Sequence, residues 1–150
     1  MNQHFTKKRM MPVLVMITCI VMTSCMTVRL IGGYDEQIDK GIMAFQKNME
    51  NHLLALETHI GKPEADHSKY IDFYRQAKVE LSSLRVRAAA QPKNEITVEM
   101  VDLLSENVRI LEQMHKEGLN PNDISPLRTA FNVGATAILK LELAKKRGEK

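Results

Sequence analysis

Four stretches of this chain repeat apolar residues at steps of three and four, and such residues share one face only if the backbone is α-helical. Ile38, Ile42, Phe45, Met49, Leu56 and Ile60, widened by Leu53 and Leu54, predict a first helix over about 35–60. Tyr70, Tyr74, Ala77, Leu81, Leu84 and Ala88 predict a second over about 64–90. Val101, Leu104, Val108 and Leu111, broadened by Met100, Leu103, Ile110 and Met114, predict a third over about 95–117. Leu127, Phe131, Gly134, Ile138 and Leu141 carry the fourth to about 146. Composition points the same way. Aromatic residues make up 5% of the chain and Trp is absent, while Leu, Ala, Met, Glu, Lys and Gln are abundant, which argues against an all-β fold.

The breaks between the stripes are short. Gly61 and Pro63 stop the first, Gln91-Pro92 closes the second, and Gly118 ends the third. Gly118 to Asp123 reads as a loop, with Ser125 as the cap of the fourth helix and Pro126 in its first turn. Long helices joined by such loops pack as antiparallel neighbours, so the fold class is all-α, an antiparallel four-helix bundle over residues 34–150. Gly134, flanked by Ala130, Ala135 and Ala137, makes a small face where another helix can approach closely.

Ahead of the bundle lies a different kind of segment. Lys7-Lys8-Arg9 is followed by an apolar run from Met10 to about Met22, the charged and apolar regions of an export signal. The run ends in Met22-Thr23-Ser24-Cys25. Those four residues resemble the lipobox of bacterial lipoprotein precursors. That resemblance implies a signal peptide over 1–24, cleaved by signal peptidase II, and acyl chains, palmitate among them, on Cys25. Residues 25–33 then form a lipidated tether. Family members usually carry Leu where Met22 stands and Gly or Ala where Ser24 stands. Met26, rather than Asp, follows the cysteine, which by the same resemblance favours the outer membrane and a domain facing the periplasm. Two or three acyl chains make attachment effectively permanent, whereas one is marginal. Cys19 would leave with the leader, so disulfides play no part in the fold.

Charge narrows the partners. Lys7, Lys8 and Arg9 supply the entire net charge of +3, and the other 18 basic residues are balanced by 18 acidic ones. A neutral body argues against nucleic acid as a partner. Lys140, Lys145, Lys146, Arg147 and Lys150 cluster near the C-terminus, where cations suit the negative end of a helix dipole. The expected partners are the membrane, through the lipid, and an envelope protein.

Chemistry is sparse. The phosphate loop, the Gly-x-Ser-x-Gly elbow and the His-Glu-x-x-His helix are all absent, and neither a nucleophile nor an acid–base pair stands out. The reading is a non-enzymatic binding or structural module. One pattern offers an alternative. Glu64-x-x-His67 and Glu112-x-x-His115 repeat the pair that di-iron bundles of the ferritin type place on two helices, and antiparallel topology brings both to one bundle end with His59. His59, His67 and His115 with Glu64 and Glu112 are therefore candidate ligands for Zn, Cu or Fe. No inward Glu is read in the fourth helix. His52, two turns deeper, reads as a hydrogen-bonded seam residue. Tyr70, Phe73 and Tyr74 fall on both sides of the second helix, which assigns some to the core and the rest to its rim or to a contact edge.

Overall fold

The computed structural model describes residues 31–148; the expected signal peptide over 1–24 and Cys25 lie outside them. Four α-helices follow one another: α1 (Glu36–His59), α2 (Ile71–Ala89), α3 (Glu95–Glu117) and α4 (Pro121–Gly148). Two 3-10 turns, Pro63–Ala65 and His67–Tyr70, precede α2, and no strand occurs among the described residues. Each helix packs on two others, α1 on α2 and α4, and α3 on α2 and α4. Residues from late α1, early α2 and late α3 meet at one end, through His52, Tyr74 and His115. Residues from early α1, late α2, early α3 and late α4 meet at the other, through Asp35, Arg87, Asn94 and Lys145. The bundle is antiparallel, and its helices of 19 to 28 residues span roughly 30 to 40 Å.

The predicted stripes form the core. Ile38, Ile42, Phe45, Met49, Leu53 and Leu56 from α1 close on Tyr74, Ala77, Leu81 and Leu84 from α2. Val101, Leu104, Val108 and Leu111 from α3 and Ile124, Phe131, Ala135 and Ile138 from α4 complete it. Leu54, Leu103 and Ile110, read as broadening the seams, are exposed instead, because each sits one position off the inward face.

Two boundaries move, each for a local reason. The second helix begins at Ile71 rather than near 64. Asp66, in an extended conformation, turns its carboxylate onto the Ser68 amide, and the Ala65 carbonyl is taken by His115 Nε2 at 2.6 Å. A tertiary bond thus claims a group a longer helix would have used. The fourth helix begins at Pro121, inside the expected loop. Asp123 Oδ2 accepts from the Asn120 amide at 2.8 Å, the reciprocal half of a capping box, and Pro121 fills the first position. Pro126 consequently lies within the helix, where its missing N–H strands only the carbonyl of exposed Asn122.

The compact unit begins at Ile31 and so takes in the last three residues of the expected tether. Gly32 is buried and donates its amide to the Lys93 carbonyl at 2.7 Å. A Cβ there would meet the Pro92 oxygen at 3.1 Å and Asn94 at 3.2 Å, so glycine is what permits the contact.

Candidate functional site

Polar groups are buried at both ends of the bundle, and the two clusters differ in kind. At the end formed by late α1, the 3-10 turns and late α3, a hydrogen-bonded chain runs from His52 through Tyr74 and His115 to the backbone. His115 Nε2 lies 2.6 Å from the Ala65 carbonyl, which can only accept, so Nε2 carries the proton. Burial, with the neighbouring His67 adding to it, lowers the His115 pKa against the opposing effects of the Ala65 carbonyl and Asp66, so the ring is neutral and its Nδ1 is an acceptor. Tyr74, whose pKa burial raises far above its ordinary value, therefore donates its hydroxyl to Nδ1 at 2.8 Å. The same oxygen accepts from His52 Nε2 at 3.1 Å. Donor direction is fixed along the whole chain, from His52 Nε2–H to Tyr74 O–H to His115 Nε2–H to Ala65 C=O.

Aromatic rings hold His52 in place. Phe73 stacks on it with centroids 3.7 Å apart and planes at 15°, while Tyr70 and Tyr74 meet it edge-on at 5.1 and 5.2 Å. All three aromatics of this stretch therefore converge on one residue. Burial first, and the neighbouring His115 second, push the His52 pKa down to about 3, so it is neutral at ordinary pH. His52 and Phe73 also wall a cleft of about 350 Å³ between α1 and α2, floored by Phe45 and Met49 and edged by Tyr70 and Glu80.

The five residues proposed for Zn, Cu or Fe are placed as follows. His115 is buried with both ring nitrogens engaged. His67 lies beside it, rings 5.5 Å apart, with its Nε2 buried, lacking a hydrogen bond and 3.7 Å from Glu112 Oε1. Glu112 is held by Lys78 and Lys116, which together lower its pKa despite burial. His59 is half-buried and turns Nδ1 back onto the Ala55 carbonyl at 2.8 Å, and Glu64 is exposed. No group of three or more His, Cys, Asp or Glu side chains that could hold a metal ion occurs among the described residues. Of the five, His67, His115 and Glu112 come together, whereas His59 and Glu64 do not join them; the first Glu-x-x-His copy lies in 3-10 turns rather than on a helix, which breaks the i, i+3 geometry the pattern assumes.

The opposite end buries a charge pair that the sequence reading missed. Lys145, read above only as one of the cations suited to the negative end of a helix dipole, is 2% exposed, and Glu142 is 0% exposed. Lys145 Nζ has three acceptors: Glu142 Oε1 at 2.5 Å, Asn94 Oδ1 at 2.5 Å and Thr97 Oγ1 at 2.8 Å, one for each proton. Glu142 Oε2 accepts from the Asp35 amide at 3.0 Å. Asp35 in turn caps α1 and takes Arg87 and Gln91 on its other oxygen. Burial raises its pKa, but Arg87 and the Gln37 and Ile38 amides outweigh that and hold it below the usual carboxylate range. A signal for the pair was present: continuing the inward seam Ile124, Phe131, Ala135, Ile138 by its own steps lands on Glu142 and Lys145.

No protein family, curated protein or solved structure matches this chain.

Proposed function

We propose that this chain is a lipoprotein held by acyl chains on Cys25, and that its helical bundle serves the cell envelope as a non-enzymatic binding or structural module on the periplasmic side of the outer membrane. The observation that carries this reading is how the bundle takes up its incoming chain. Gly32 is pinned to the α2–α3 connection, and Asp35 is locked into the buried cluster with Glu142, Arg87 and Gln91. Only Met26 to Leu30 then separate the lipobox-like cysteine from the compact unit, a reach of about 20 Å at full extension. A domain so built is suited to sit close against a bilayer on a short leash. No helix among the described residues is long and apolar enough to cross a membrane.

The non-enzymatic half of the reading is supported by how two of the most buried polar side chains are engaged. His115 spends both nitrogens and Lys145 all three protons on structural partners, which leaves neither group free to attack or to exchange protons with a substrate.

Labelling with palmitate in a bacterial host tests the anchor. Wild type and Cys19→Ala incorporate label and fractionate with the outer membrane, whereas Cys25→Ala incorporates none and keeps the precursor mass. Labelling of Cys25→Ala would overturn the assignment.

A further inference from the structure

The geometry points to the α1–α2 cleft as a binding site for a small organic cation, an ammonium group carried on an aromatic or apolar body. The inference rests on the binding half of the function proposed above and is independent of the lipid. Its first support is the shape and lining of the cleft. About 350 Å³ is at the lower end of small-ligand sites, and the walls are the rings of His52, Tyr70 and Phe73 over Phe45. Aromatic faces attract cations through their quadrupoles, most strongly where water is partly excluded.

Charge supplies the second support. Glu80 is half-buried at the cleft edge, and its Oε1 accepts from Gln76 Nε2 at 3.0 Å and Asn48 Nδ2 at 3.4 Å. Two amides thus orient this carboxylate, yet no Lys or Arg pairs with it among the described residues. Four other carboxylates of low exposure do have cations: Asp35 has Arg87, Glu50 has Arg128, Glu112 has Lys78, and Glu142 has Lys145, while half-buried Asp39 takes the Tyr34 hydroxyl and Asp123 the Asn120 amide. Neither Lys nor Arg lines the cleft. The third support is the direction of the His52 hydrogen bonds. Because Nε2–H is committed to Tyr74, Nδ1 is left as an acceptor with no partner among the described residues. Carboxylate, imidazole lone pair and ring faces together favour a ligand that donates hydrogen bonds and bears positive charge, and they repel an anion of the same shape.

The test is a titration of the full-length chain in a neutral detergent, followed by the ring-proton NMR signals of His52, Tyr70 and Phe73. The probe is 2-phenylethylammonium, with 2-phenylethanol and phenylacetate as neutral and anionic matches. The expected result is saturable shifts with the ammonium, roughly tenfold weaker binding of the alcohol, and no binding of phenylacetate. Glu80→Gln, which preserves shape and the amide contacts, binds ammonium and alcohol alike, and Tyr70→Leu weakens both. Cys25→Ala gives the wild-type affinity, so the result stands apart from the fate of the anchor. Equal binding of ammonium and alcohol by the wild type, binding of phenylacetate, an unchanged preference in Glu80→Gln, or no saturable shift at millimolar probe would each overturn the proposal.

Discussion

The Tyr74 hydroxyl donates to Nδ1 of His115 at 2.8 Å, across 41 residues of sequence, and this bond orders a buried chain joining α1, α2, α3 and the 3-10 turns. Tyr74→Phe keeps the ring and its packing but strands His52 Nε2–H and His115 Nδ1 together. Each unsatisfied buried group costs about 1–3 kcal/mol, so the variant loses about 2–6 kcal/mol, read as a lower urea midpoint with an unchanged slope.

The tautomers follow from the same chain. Long-range 1H–15N spectra at neutral pH show both His52 and His115 protonated at Nε2. Finding either ring protonated at Nδ1 would contradict the donor order and, with it, the lone pair assigned to the cleft.

Acid should unfold the bundle through these rings. His52 in the unfolded chain takes up a proton near pH 6.5, whereas in the bundle burial and His115 hold it down to about 3. Between those values the unfolded chain binds more protons, so the stability due to a neutral His52 is complete above about pH 6.5 and is lost as the pH falls toward 3. His115, lowered in the same direction, adds to the slope. Urea midpoints measured from pH 7 down to pH 4 fall steadily, and His52→Phe, though less stable at neutral pH, shows a shallower decline.

Lys145 and Glu142 behave as a pair. Lys145→Met leaves the fully buried Glu142 carboxylate with only the Asp35 amide and costs about 3–5 kcal/mol. The double variant Glu142→Leu/Lys145→Met removes the charge with its partner and is the more stable of the two. Thermal denaturation that ranked the double variant below Lys145→Met would show the two groups acting independently.

Gly134 faces α3, where a Cβ would lie 2.7 Å from Leu104 Cδ2. Gly134→Val forces the buried Leu104 aside and costs about 1–3 kcal/mol. In Gly134→Ala the smaller shift is offset by about 1 kcal/mol of helix propensity, so its melting temperature stays near that of wild type.

Helix number, order and most of the core were legible in the sequence, because the period of Ile38, Ile42, Phe45 and Met49, like that of Val101, Leu104, Val108 and Leu111, is a local property that survives whatever the helices pack against. The third helix runs over 95–117 as its period predicts. Boundaries decided by nonlocal bonds were not legible. The start of α2 depends on His115 reaching back to Ala65, and residue 115 carries no local mark of that contact.

The site divides in the same way. Sequence alone determined that His52 lies on an inward seam and that a lipobox-like cysteine precedes the bundle. Tertiary structure decided that His52 is the hub of three aromatic rings, that the Glu-x-x-His repeat is split between a 3-10 turn and a helix, and that Glu142 and Lys145 are buried partners. The reason is physical. A side chain's periodic position fixes which way it faces, but whether a charge is tolerated there depends on partners brought from other helices. Lys145 required Asn94 and Thr97, about 50 residues earlier, before burial became favourable.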